Sequence, residues 1–203
     1  MKLTLAASLL LTTAWAVPNL QAGSSSSETS NGSGGGGVQC EPFYPDQAIL
    51  DALAGTYSLI NTTSAKDGVP VPDNGYGKKP VGIITYSKSG WMSVAITATE
   101  PEWRPEHLTF PFQPQDSDHE WALVGKHSIG YAGPVTISRD IPANTTSGQI
   151  FHGPLVVANV PAWQGALHRR NYTIHKTGEG KLLRIQSTRD GGFTGELWFR
   201  NVD

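Results

Sequence analysis

The sequence predicts an all-β domain: an antiparallel sheet closed on itself into a barrel of about eight strands. Three observations lead there. Between Gly55-Thr56-Tyr57 and Leu197-Trp198-Phe199-Arg200, short alternating segments recur, separated by Gly, Pro and Asp turns. Glycine (23) and proline (14) are frequent while charged residues are only 16%, a balance that fits a turn-rich β protein. The length, 203 residues, suffices for one domain with a real core. A barrel of this size can hold one small ligand. The architecture alone leaves open whether the cavity carries its guest or transforms it.

The chain is expected to begin outside the fold. Met1-Lys2 is a weakly positive start, Leu3 to Leu11 is a short apolar run, and Ala14-Trp15-Ala16 has the small-x-small pattern of a cleavage site. Residues 1–16 therefore read as a secretory signal peptide, the apolar run being too short to span a bilayer. Residues 17–39 read as a flexible linker, nearly all Ser and Gly from Gly23 to Val38. Gly34 to Gly37 is not a phosphate loop, because it lacks a preceding strand, a following helix and a Lys. The barrel domain is assigned to residues 40–203. Cys40, the one cysteine, has no intrachain partner and is available to bridge two chains as a homodimer. Four N-x-[ST] sequons, at Asn31, Asn61, Asn144 and Asn171, add to the expectation of a secreted, glycosylated protein.

Within the domain, Asp46 can cap a short helix reaching Leu53, with Ile49, Leu50 and Leu53 on one side and Gly55 ending it. A first strand runs from Thr56 to Thr63, and Lys66-Asp67-Gly68 turns. Residues 69–80, with three Pro and two Gly, form a loop. Val81 to Ser87 and Trp91 to Thr99 are a hairpin around Lys88-Ser89-Gly90. After the Pro-rich stretch from Pro101 to Pro114, Ser117-Asp118-His119-Glu120 has the pattern of a capping box. A helix from Asp118 to Ile129, inserted after the third strand, follows. Strands resume at Pro134–Ser138, Gln149–Val160, Ala166–His175, Lys181–Thr188 and Gly195–Asn201.

Several functions are excluded. A net charge of −2, with His168-Arg169-Arg170 the one dense basic spot, argues against nucleic acid. No segment after the leader is long and apolar enough to span a membrane. His119-Glu120 lacks the second His of H-E-x-x-H, since Leu123 stands there, and the six His show no ligand spacing, so no metal is expected. Nucleophile elbow, P-loop and dinucleotide fingerprint are all absent in a valid context. Any chemistry must therefore run without a cofactor.

Strand parity nominates the interior. A glycan on Asn171 requires that side chain to face solvent, which turns His168, Arg170, Tyr172 and Ile174 inward. An inward Arg must be paired. Arg170 either packs on an aromatic such as Trp198 and closes one end, or anchors an anion or carbonyl of the ligand. Parity conflicts on the first strand: an outward Asn61 would turn Tyr57 and Leu59 outward too, unless a bulge or an early strand end intervenes. His152 is a general acid or base in an apolar cavity, or a satisfied core histidine. Tyr86, Tyr131 and Tyr172 are phenol donors that could polarise a carbonyl. Trp91 and Trp198 join them as ring surfaces for a flat guest, or as residues that fill the core. The catalytic candidates are thus His152, Tyr172 and Arg170, and the ligand-binding candidates Tyr86, Trp91, Tyr131, His168 and Trp198.

Gly55-Thr56-Tyr57-Ser58-Leu59, followed by Gly82-Ile83-Ile84-Thr85-Tyr86-Ser87-Lys88-Ser89-Gly90-Trp91-Met92-Ser93, resembles the start of the lipocalin-like domain family of bacterial and fungal proteins. Tyr131-Ala132-Gly133, His152, Pro161-Ala162-Trp163-Gln164-Gly165, Arg170 and Leu197-Trp198-Phe199-Arg200 extend the likeness over about residues 48 to 202. Tyr57 departs from it, standing where the family usually has Trp. The resemblance implies a β-barrel with an internal pocket for a small apolar metabolite. It also implies two kinds of activity: a cofactor-free cyclase or isomerase of natural-product biosynthesis, or a non-catalytic carrier.

Overall fold

The computed structural model describes residues 46–189 and 191–203. The expected signal peptide and linker, with Asn31 and Cys40, lie outside the described residues.

Ten strands form one sheet: β1 (Gly55–Lys66), β2 (Val69–Val71), β3 (Val81–Tyr86), β4 (Trp91–Thr97), β5 (Ser128–Ile137), β6 (Ser147–His152), β7 (Val157–Ala158), β8 (His168–Thr177), β9 (Gly180–Thr188) and β10 (Phe193–Asn201). Eight of them run in the order β10-β9-β8-β6-β5-β4-β3-β1, and β10 pairs back onto β1, which closes an antiparallel barrel. β2 hangs on β1, and β7 on β5. Closure leaves these eight strands no free edge.

Side-chain alternation follows from the strand period of two. On β4, Met92, Val94 and Ile96 are buried while Trp91, Ser93 and Ala95 are exposed. On β1 the alternation breaks. Tyr57 and Leu59 are buried, Ile60 and Asn61 are both exposed, and the pairing with β10 shifts register between Leu59 and Asn61. This bulge resolves the parity conflict of the first strand, because one extra residue reverses the facing of all that follow.

The helix α1 (Asp46–Leu53) closes one end. Ile49 and Leu53 are fully buried, and the Tyr57 hydroxyl donates to the Leu53 carbonyl at 2.7 Å. Three further contacts tie the helix to neighbouring strand ends. Gln47 Nε2 donates to the Lys88 carbonyl, Arg139 pairs with Asp46, and Lys181 Nζ donates to the carbonyls of Ala52 and Ala54.

Four sequence expectations need correction. Residues 69–80 were expected to be loop throughout, yet Val69–Val71 pairs with Ser64–Lys66 as a short ribbon. The inserted helix α2 (Asp118–Lys126) therefore follows the fourth strand in chain order and the third in the barrel. It ends at Lys126 instead of Ile129, because Ser128–Ile129 already pairs with Thr97–Ile96 of β4. Ser117 is its N-cap but makes no capping hydrogen bond with its side chain, and Glu120 faces His107 instead. Finally, Gln149–Val160 is two strands, because Gly153 (φ 121°) and Pro154 interrupt the ladder. No helix among the described residues is long and apolar enough to cross a membrane.

Candidate functional site

A cavity of about 650 Å³ lies inside the barrel. Its apolar wall comes from inward positions of the strands: Ile84, Val94, Ile96, Ile185, Leu197 and Phe199. Its polar groups come from β5, β6, the start of β8 and the end of β9, with α2 and the 73–76 loop contributing at the end away from α1.

His152, the last residue of β6, is fully buried and lines this cavity. Two tyrosines hold its ring. Tyr86 Oη lies 2.8 Å from Nε2, and Tyr131 Oη lies 3.4 Å from Nδ1, the longer contact. Burial keeps the Tyr86 phenol well above its ordinary pKa, so it is neutral. Burial, reinforced by the charge of Arg170, pushes His152 well below its ordinary value, so it is neutral as well. Proton placement then follows from satisfying every donor. Tyr86 has no other partner among the described residues, so its O–H must donate to Nε2. The single ring proton of His152 is then on Nδ1 and points at the Tyr131 oxygen. That leaves the Tyr131 hydroxyl hydrogen unspent, on a side chain that itself lines the cavity. The arrangement is a chain of hydrogen-bond donors, Tyr86 to His152 to Tyr131, that ends at the cavity.

Around Tyr131 the wall is aromatic. Tyr131, Trp163 and His168 pack mutually edge to face, with centroids 4.8 to 5.7 Å apart. Arg170 lines the same cavity. Its Nη2 donates to His168 Nδ1 at 3.3 Å and its Nη1 to the Arg169 carbonyl at 2.7 Å. Burial and the Arg170 charge lower the His168 pKa, which keeps that ring an acceptor.

With this geometry in place, the comparisons with known proteins are specific about family. The profile of the lipocalin-like domain matches residues 54–201. The chain belongs to the lipocalin-like domain family. No curated protein matches it. Among solved structures, a redesigned β-barrel is similar at 12% identity and a TM-score of 0.34, over 77% of this chain and 96% of that one.

In this lipocalin-like barrel the candidate residues separate into two groups. His152, Tyr131, His168 and Arg170 line the cavity together, and Tyr86 stands behind His152. The other three are elsewhere. Trp91 is 48% exposed on the outer face of β4, where the alternation places it. Trp198 lies between the two cavity-lining residues of β10, Leu197 and Phe199, and so faces outward. There it stacks on His175, carries Arg184 over its ring and donates Nε1–H to Glu196. The cation that packs on Trp198 is thus Arg184, not Arg170. Tyr172 is inward and buried, but its hydroxyl donates to the Asn144 carbonyl at 2.6 Å and it is not among the cavity-lining residues. It pins the 139–147 segment and has no spare proton for a guest. Asn61 and Asn171 are exposed, while Asn144 is half-buried with its Oδ1 accepting from Thr146 and Ser147.

Three lining residues have no strand signal: Tyr76, Lys126 and Arg189 come from a loop, a helix end and a strand flank. Tyr76 is placed by Asp73, whose Oδ1 accepts from the Gly75 and Tyr76 amides at 2.9 Å. Among the described residues, no group of His, Cys, Asp and Glu is positioned to hold a metal.

The neutral His152 has a consequence for stability. Its pKa is lower folded than unfolded, so between the two values the unfolded chain binds more protons. Stability is therefore full above about pH 6.5 and falls as pH drops below it, by up to about 1.4 kcal/mol per pH unit from this group. His168 shifts in the same direction and adds to the slope. Urea unfolding at pH 7.5, 6.5 and 5.5 should show this decline, and His152→Gln should flatten it. An equal decline in the variant would mean that His152 is charged in the native state.

Proposed function

We propose that the barrel is a cofactor-free isomerase or cyclase that acts on a small, mostly apolar metabolite of a natural-product pathway. The observation that carries this reading is the buried Tyr86–His152–Tyr131 chain with its unspent hydroxyl on the cavity wall. Such a donor can hydrogen-bond to a carbonyl oxygen and stabilise the negative charge that develops there when a hydroxyl of the same molecule adds to the carbonyl carbon, the proton of that hydroxyl ending on the former carbonyl oxygen. His152 and Tyr86 keep their own protons and hold the Tyr131 hydroxyl in place, because ionising the buried Tyr86 phenol is disfavoured. Ring closure onto such a polarised carbonyl, itself an isomerisation because no atom is gained or lost, needs only this, together with a shaped, water-poor cavity. We place the reaction in the secretory pathway, on the leader-like residues 1–16 and the exposed sequon residues Asn61 and Asn171.

The test is product formation. Metabolite profiling of a strain lacking the protein should reveal an accumulated precursor. Purified full-length chain, added alone, should convert that precursor to an isomer. Tight binding of the precursor with conversion no faster than in buffer would refute catalysis and establish the barrel as a carrier.

A further inference from the structure

We propose that the molecule this cavity accepts is an organic acid: an apolar body with one anionic oxygen group, held against Arg170. The inference rests on the cavity being the substrate site, and it concerns charge, not turnover.

The balance of charge within the lining supports it. Arg170, Arg189 and Lys126 line the cavity, against a single carboxylate, Asp73. Asp73 is already committed: one oxygen accepts from the Ser64 hydroxyl at 2.7 Å, and the other from the Gly75 and Tyr76 amides. The nearby Glu196 is likewise spent on Arg184, Gln186 and Trp198. Arg170 makes no ion pair with a carboxylate among the described residues, and its two hydrogen bonds leave other guanidinium N–H groups to donate. A half-buried guanidinium without a counter-ion is costly, and an anionic guest supplies what the protein withholds. The direction of its field agrees. The Arg170 charge depresses both His152 and His168 and lowers the pKa of the Tyr76 and Tyr86 phenols against the effect of their burial. It therefore acts on the interior groups, not on bulk solvent alone. Tyr76, with no hydrogen-bond partner for its hydroxyl among the described residues, offers a second donor to the same group. The aliphatic wall then takes the rest of the molecule.

Two fluorescent probes of one shape class separate charge from apolarity: 8-anilinonaphthalene-1-sulfonate, an anion, and N-phenyl-1-naphthylamine, its neutral counterpart. The full chain should bind the anion more tightly than the neutral probe, and added salt should weaken only the anion. Arg170→Gln should weaken the anion by about tenfold or more, the loss of a charge-assisted hydrogen bond, while neutral-probe affinity stays within about twofold. Retained neutral-probe binding reports an intact cavity. Should the variant fail to bind either probe, the salt titration of the wild-type chain decides, since salt-independent anion binding would overturn the proposal. Equal affinity of the two probes for wild type, or an Arg170→Gln chain that binds the anion unchanged, would overturn it too. Charge selectivity in a protein that converts no precursor would support the organic-acid assignment while removing the isomerase reading.

Discussion

Tyr131→Phe should slow turnover of the precursor by about 100-fold or more, the usual effect of deleting a hydrogen-bond donor to a developing oxyanion. The substitution removes the one oxygen that both meets His152 Nδ1 and belongs to a cavity-lining residue. Its shape is conserved, so the edge-to-face packing on Trp163 and His168 remains. The His152 Nδ1–H loses only a 3.4 Å contact, which should cost about 1–2 kcal/mol of stability. The expected pattern is a large fall in kcat with KM little changed, because the lost interaction strengthens in the transition state. Tyr172→Phe is the contrast. It frees the Asn144 carbonyl, loosens the 139–147 segment and should leave kcat near wild type. A Tyr131→Phe enzyme with unimpaired kcat would remove Tyr131 from the mechanism.

His152→Ala should destabilise the barrel by about 3–5 kcal/mol. The ring is fully buried, so its removal leaves a void that close-packed neighbours fill only in part. It also strands the Tyr86 hydroxyl, whose acceptor is His152. The two costs are separable. In a His152→Ala/Tyr86→Phe double variant the stranded donor is gone, so the combined loss should fall short of the sum of the single losses by about 1–2 kcal/mol. Urea unfolding of the four proteins measures this directly. Strict additivity would show that the Tyr86 proton goes elsewhere, and with it the proton placement along the chain.

The barrel was legible in the sequence because its signals are local. Gly and Pro turns mark the hairpins, and alternation on segments such as Trp91–Thr97 states which side chains face inward. His168, Arg170 and Tyr172 follow from the same parity on β8, and burial agrees. Facing inward, however, is not the same as facing the cavity. Tyr172 and Arg170 share a face of one strand, yet one meets a loop carbonyl and the other the cavity. Only the packing of elements distant in sequence decides between them. Trp91 and Trp198 lie off the cavity for a different reason. The sequence alone offers a large aromatic equally as pocket surface or as core filling, although the alternation on β4 already points Trp91 outward. The proton chain joins residues 21 and 66 positions apart, and no local pattern encodes such a meeting. Tyr76, Lys126 and Arg189 sit where periodicity ends, so a reading built on periodicity had no hold on them.

The seam between β1 and β10 has a kinetic meaning. It pairs Tyr57 with Asn201, and nearby the Asn201 amide donates to the Thr56 carbonyl across 145 residues of sequence. Hairpins such as Val81–Thr97 can zip up from their own turns, but the seam must wait until the chain between has ordered. Until then β1 and β10 are unsealed edges, open to pairing with a neighbouring molecule. Refolding yield should therefore depend on protein concentration, with the lifetime of the open sheet setting how much is lost to aggregation.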